Sequence, residues 1–149
     1  MKTALLYGSS HGKTRKVIAE VLKHLAVKPD VFDVKEGIDL QRLAEYDLLA
    51  FFCPTYGDEE LQDDFENFLV GFDLDLTGKQ FVICELGNYY GYDDFSFGAL
   101  HIIRRRLLEL NGRELCEPLS LDSFPRTHWG HLSDWVNHLN EKLHEHVGH

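Results

Sequence analysis

Tyr46-Asp47-Leu48-Leu49-Ala50-Phe51-Phe52-Cys53 is the clearest strand of the chain, and its reading decides the fold. Its centre is a continuous apolar run rather than an alternation. A strand with one wet face alternates; a strand covered on both faces does not. Pro54 follows and stops it. Downstream, Leu61, Phe65, Phe68 and Leu69 keep helical spacing, and Thr77-Gly78-Lys79 turns into a second continuous run, Gln80 to Leu86. Upstream, Asp39 to Leu43 makes one helical turn, Val31-Phe32-Asp33-Val34 a short strand, and Pro29 breaks a helix from Gly12 to Ala26, marked by Val17, Ile18, Val21, Leu22 and Leu25. The first run is Thr3-Ala4-Leu5-Leu6-Tyr7, ended by Gly8. Beyond the fourth strand, Leu100, Ile103, Leu107 and Leu110 mark a helix closed by Asn111-Gly112. A weaker fifth strand lies within Arg113 to Leu121, loosened by Pro118, and Leu132, Trp135, Val136, Leu139 and Leu143 mark the last helix. Strands that alternate with helices imply right-handed crossovers and a parallel sheet covered on both faces. No repeat or linker interrupts residues 1–149, so one domain is expected.

The 149 residues carry 25 acids against 15 Lys and Arg, a formal charge of −10. Phosphate backbones and anionic membranes need a positive footprint, so neither nucleic acid nor membrane is the expected partner. A basic protein partner suits the charge. No apolar run approaches the roughly 18 residues of a membrane span, and the apolar part of the N-terminus is too short for a signal peptide. Three scattered Cys imply no disulfide framework, which points to a reducing cytoplasm. His128/His131 and His144/His146 lack metal-ligand spacing with Cys or acidic partners, so no metal site is assigned. Cys53, Cys84 and Cys116 read as small core residues, Arg104-Arg105-Arg106 as a polar helix face or a minor docking patch, and Trp129 and Trp135 as packing groups.

Ligands on open parallel sheets bind beyond the carboxyl ends of the strands, where the strand order reverses. Three loops therefore matter. After the first strand comes Gly8-Ser9-Ser10-His11-Gly12-Lys13-Thr14. Small residues permit close backbone approach, hydroxyls add donors, and free N–H groups at a helix start favour an anion. Gly8 and Gly12 are four apart where the Walker loop needs five, and the dinucleotide fingerprint is absent. The loop suits one phosphate; an ordinary strand-to-helix turn capped by Ser or Thr would read the same. After the third strand, Pro54-Thr55-Tyr56-Gly57-Asp58-Glu59-Glu60 sets an aromatic beside Gly and a block of acids. The helix dipole accounts for part of that block. It does not account for Tyr56-Gly57. After the fourth strand, Gly87-Asn88-Tyr89-Tyr90-Gly91-Tyr92-Asp93-Asp94-Phe95 adds a second aromatic cluster. Two aromatic loops beside an anion loop suit a flat conjugated ligand with a phosphate tail, stacking being worth about 0.5–1.5 kcal/mol per pair beyond area burial.

With these segments in view the chain resembles flavodoxins, the small FMN-binding electron carriers. Ser9-Ser10-His11-Gly12-Lys13-Thr14 sits where that family has S/T-x-T-G-N-T; Pro54-Thr55-Tyr56-Gly57-Asp58 with Glu60-Leu61-Gln62-Asp63-Asp64-Phe65 resembles P-T-W-G-D … E-L-Q-D-D-[WF]; Gly91-Tyr92-Asp93-Asp94-Phe95 resembles G-Y-x-D-x-F. The resemblance implies an α/β fold with a five-stranded parallel sheet in the order 2-1-3-4-5 and helices on both faces. It is of the short-chain type, since residues 112–127 leave no room for the insertion of about twenty residues found in long-chain members. It implies FMN as the cofactor, held by Ser9, Ser10, His11, Gly12, Lys13 and Thr14 at the phosphate, and by Pro54, Thr55, Tyr56, Gly57, Asp58, Gly87, Asn88, Tyr89, Tyr92, Asp93 and Phe95 around the ring. Tyr92 takes the outer stacking position and Tyr56 the inner one, usually Trp. Gly57 supplies the carbonyl that meets flavin N5–H. Lys13 stands for the family's Asn and His11 for its Thr.

The function implied is a low-potential one-electron carrier, a cytoplasmic monomer and not an enzyme. It would shuttle electrons between a flavin reductase and an acceptor enzyme whose basic surfaces dock on Glu59, Glu60, Asp63, Asp64 and Glu66. From Leu43 to Gly78 ten acids occur with no Lys or Arg. Like-charge repulsion and apolar walls there would disfavour added negative charge on the ligand. An FMN-dependent quinone reductase of the same fold is the alternative. A receiver domain shares the topology but needs an Asp at the end of the third strand, where Cys53-Pro54 stands, and an acid pair after the first, where Ser9-Ser10 stands.

Overall fold

The computed structural model describes residues 2–8, 13–54, 63–87, 98–122 and 129–147. Its strands are β1 (Thr3–Tyr7), β2 (Asp30–Asp33), β3 (Leu48–Pro54), β4 (Gln80–Gly87), β5 (Arg113–Glu114) and β6 (Leu119–Asp122), all paired in parallel. The order is β2-β1-β3-β4-β5, with β6 also on β4. The helices are α1 (Lys13–His24), α2 (Leu40–Leu43), α3 (Asp63–Val70), α4 (Gly98–Glu109) and α5 (Trp129–Val147), with a 3-10 turn at Val34–Glu36.

The continuous apolar runs became the central strands, because only helices on both faces can cover them. On one face Leu5, Ala50, Phe52 and Val82 pack against Val17, Ile18 and Val21 of α1 and against Leu132, Trp135, Val136 and Leu139 of α5. On the other, Ala4, Leu6, Leu49, Phe51 and Ile83 pack against Leu43 of α2, Phe65 and Leu69 of α3, and Leu100, Ile103 and Leu107 of α4. Alternate residues of β3 thus serve opposite cores. Phe51 meets Phe65 and Phe72 edge-on, while Phe52 meets Trp135 the same way. Burying each such ring is worth roughly 1.5–3 kcal/mol.

Two elements differ from the sequence reading. The third strand begins at Leu48, because Tyr46 leaves the ladder and buries its ring edge-on to Phe32, its hydroxyl donating to Asp30 Oδ2 at 2.5 Å. The fifth strand comes in two pieces. β5 pairs with Gln80 and Phe81, and Leu115 N continues the ladder to Phe81 O at 2.9 Å. Cys116 then turns into the core and Pro118 has no N–H to donate, so pairing resumes only at Leu119, opposite Cys84.

Candidate functional site

The order β2-β1-β3-β4-β5 reverses direction between β1 and β3. α1 leaves β1 toward one face and α3 leaves β3 toward the other, which opens a crevice at the carboxyl edge between them. The ladder sets the strand ends side by side. Tyr7 is in register with Phe52, and Gly8 N donates to Phe52 O at 3.3 Å. Pro54 is in register with Leu86, and Gly87 with Asp122. The three loops singled out in the sequence therefore begin at one edge.

Of the expected site residues, the structure describes the backbone of Lys13 and Thr14, the first two residues of α1, and of Pro54 and Gly87, the last of β3 and β4. It sets the ends of β1, β3 and β4 side by side. Ser9, Ser10, His11, Gly12, Thr55, Tyr56, Gly57, Asp58, Asn88, Tyr89, Tyr92, Asp93 and Phe95 lie outside the described residues, as do Glu59 and Glu60. α1 is 12 residues long with no acid in its first turn, so its partial positive charge at that edge is not neutralised within the helix.

Beneath the edge lies a group the sequence reading did not single out. Glu85 is wholly buried, in register with Cys53 and two residues before the end of β4. A carboxylate inside the apolar run Phe81 to Leu86 was the available signal. Burial, Cys84 and Glu85 push the Cys53 thiol well above its ordinary value; burial and Glu85 push Cys84 up. Cys116 is pushed up to about 11 by burial and the nearby Glu114. The thiolate is the nucleophile and metal ligand, so these thiols behave as core groups. Among the described residues no three His, Cys, Asp or Glu gather as metal ligands. No described helix is long and apolar enough to cross a membrane.

The Arg104-Arg105-Arg106 run divides its work. Arg104 Nε reaches Glu114 Oε2 of β5 at 3.0 Å, and Arg106 donates to Phe72 O at 2.8 Å; both tie α4 to the body, and Arg105 faces out. Trp135 packs as expected and donates through Nε1 to Glu117 O at 2.8 Å, which closes the break between β5 and β6.

Against known proteins, the family model described as Flavodoxin matches residues 5–135. A flavodoxin of Nitratidesulfovibrio vulgaris is 29% identical over 144 residues, 91% of this chain and 94% of that protein. A flavodoxin of Synechocystis is also 29% identical, but the match covers 75% of this chain and 67% of that longer protein. Near-complete overlap with the first, and partial overlap with the second, agree with the short-chain type. Among solved structures, oxidised Flavodoxin 2 of Bacillus cereus superposes with a TM-score of 0.79 at 25% identity, covering 95% of this chain and 99% of that one. Fusobacterium nucleatum flavodoxin, solved with flavin mononucleotide bound, gives 0.79 at 19% identity over the same shares, a likeness of fold.

Proposed function

The chain belongs to the flavodoxin family, and from that membership we propose that it is a non-enzymatic electron carrier that binds FMN non-covalently at the carboxyl edge of β1, β3 and β4. The observation that carries this reading is that β1, β3 and β4 end side by side at the topological switch point, and the three sequences that follow them hold residue types that match one ligand. The donor set fits the cofactor. The start of α1 offers backbone N–H groups and a positive dipole end to a phosphate, and Ser9, Ser10 and Thr14 add hydroxyls. Tyr56 and Tyr92 are the ring-stacking residues, and Pro54, Thr55, Asp58, Gly87, Asn88, Tyr89, Asp93 and Phe95 complete the walls. Lys13 adds a charge contact to the phosphate, and His11 occupies the same loop. Gly57 is a peptide without a side chain beside the ring, free to take φ > 0.

FMN supplies the electron-transfer chemistry, in one-electron steps. The chain sets the cost of those steps. The six acids that follow β3, Asp58, Glu59, Glu60, Asp63, Asp64 and Glu66, with no Lys or Arg among them, disfavour added negative charge near the site and make the carrier low-potential. The same acids receive the basic surfaces of a reductase and an acceptor, as a monomer in the cytoplasm.

Titration of the apoprotein with FMN, followed by stepwise reductive titration, tests the reading. We expect one FMN per chain, a yellow protein, and a preference for FMN over both riboflavin and FAD. Lys13→Ala should weaken FMN more than riboflavin, by about 0.5–1.5 kcal/mol. A chain that neither binds FMN nor quenches its fluorescence would overturn the proposal. Steady NAD(P)H-dependent quinone turnover without a partner reductase would assign it instead to the quinone reductases.

A further inference from the structure

The chain separates its charges along its length, and the fold sends the helices of the two segments to opposite sides of the sheet. Residues 1–28 hold six Lys or Arg and one Glu, against ten acids and no Lys or Arg in residues 43–78. α1 packs on one side of the sheet with α5, and α3 on the other. Both helices start at the carboxyl edge, so the candidate site lies between the start of α1, rich in Lys and Arg, and the start of α3, which an acid-rich sequence precedes.

On α1, Val17, Ile18 and Val21 turn inward, which leaves Arg15, Lys16, Ala19, Leu22 and Lys23 outward and exposed. Lys23 is held by Glu20 at 3.1 Å. Arg15 and Lys16 have no ion-pair partner among the described residues. They sit in the first two turns, at the positive end of the helix dipole, where a cation lowers helix stability rather than raising it. Leu22, 42% exposed, lies on the same face near the far end of α1. Two cations unpaired among the described residues, placed against the dipole at the start of α1, suit negative charge supplied by another protein.

We propose that the outer face of α1, centred on Arg15 and Lys16, is a docking strip for carboxylate side chains of a protein redox partner. Such a partner is acidic where it meets α1, and the acid-rich sequence between β3 and α3 disfavours the reverse orientation, so the two charges together orient it. This inference rests on the carrier reading.

The test uses FMN-loaded wild type and the double variant Arg15→Glu/Lys16→Glu, both fully reduced. Each is mixed in stopped flow with an acidic rubredoxin or a basic cytochrome c as oxidant; one electron passes to the iron of either protein. At low ionic strength the double variant should reduce rubredoxin roughly fivefold or more slowly, the loss vanishing in high salt, while the cytochrome c rate does not fall. Arg15→Gln/Lys16→Gln should fall between. An unchanged rubredoxin rate, or equal losses with both oxidants, overturns the proposal. So does a variant that weakens FMN but not riboflavin and keeps wild-type rates per bound flavin, since the cations would then serve the phosphate. So does a wild-type dimer at low salt that the double variant dissociates, since the strip would then meet a second copy. A wild type that takes up no FMN overturns the carrier reading and this inference together; the other outcomes overturn this inference alone.

Discussion

Gly112 and Asn111 exchange the roles that the sequence suggests for a helix stop. Asn111 takes the left-handed conformation, φ 73°, and Gly112 provides close approach. A Cβ on Gly112 would lie 2.9 Å from Leu107 O and 3.0 Å from both Leu76 Cδ1 and Phe81 Cδ1. Neither the carbonyl nor the buried Leu76 and Phe81 side chains can withdraw freely, so Gly112→Ala should cost about 1–3 kcal/mol, read as a lower urea midpoint with unchanged slope. An unchanged midpoint would mean that the end of α4 shifts without cost. Asn111 also donates to Asp75 Oδ1 at 3.2 Å, an oxygen that accepts from Thr77 Oγ1 at 2.7 Å and Thr77 N at 3.0 Å. The Thr77 side chain, the Thr77 amide and Asn111 together hold the Asp75 carboxyl below its usual value. A carboxyl depressed by folding contributes stability above its unfolded value and loses it as pH falls through its lower folded value. Asp75→Asn should therefore be less stable than wild type at pH 7, and the gap should close as pH drops below about 4. Urea curves at pH 7, 5 and 3 measure it; a gap that stays constant with pH would remove the carboxylate from the account.

Elements, not single residues, determine how α1 presents its N-terminus to the site. Its far end is clamped by Asn140 of α5, whose Oδ1 accepts from Ala26 N at 2.7 Å and whose Nδ2 donates to His24 O at 2.8 Å. One side chain thus satisfies a donor and an acceptor at a helix end that no residue of α1 could serve. Asn140→Ala should cost about 1–2 kcal/mol and raise the hydrogen-exchange rate of the Ala26 amide. Asn140→Asp keeps the acceptor for Ala26 but sets a carboxylate against His24 O, so it should restore little. Unaltered exchange at Ala26 in Asn140→Ala would show that Val17, Ile18 and Val21 alone fix the helix. The split of β5 from β6 is also an event of elements. Cys116 turned inward and Pro118 without an N–H break the pairing, and Trp135 of α5 bonds to Glu117 O inside the gap.

For the whole molecule, a cofactor bound only by the folded state must raise its stability. At 100 times its dissociation constant, FMN should contribute about 2.7 kcal/mol. For a chain near 150 residues that corresponds to a rise in Tm of about 5–10 °C by differential scanning calorimetry, with a smaller rise for riboflavin, which has no phosphate for the start of α1. Equal shifts for both ligands would detach the phosphate from α1. What the sequence determined by itself was local and compositional. Short continuous apolar runs closed by Gly, Pro or turn residues read as strands covered on both faces, so β1, β3 and β4, the parallel sheet and the helices between them were legible. So were the order and chemistry of the three loops, because turn residues, hydroxyls and aromatics announce themselves without neighbours. Tertiary structure alone decided what depends on partners far along the chain. Tyr46 left the third strand for Asp30, and Cys116 divided the fifth. Of three adjacent arginines two were drawn to Glu114 and Phe72 O and one left outward. Pro54 and Gly87 are 33 positions apart in sequence, and they end adjacent strands because the register of β3 on β4 pairs Pro54 with Leu86. Hydrogen bonds and burial between distant segments carry no local signature, so those choices appear only once the sheet has formed.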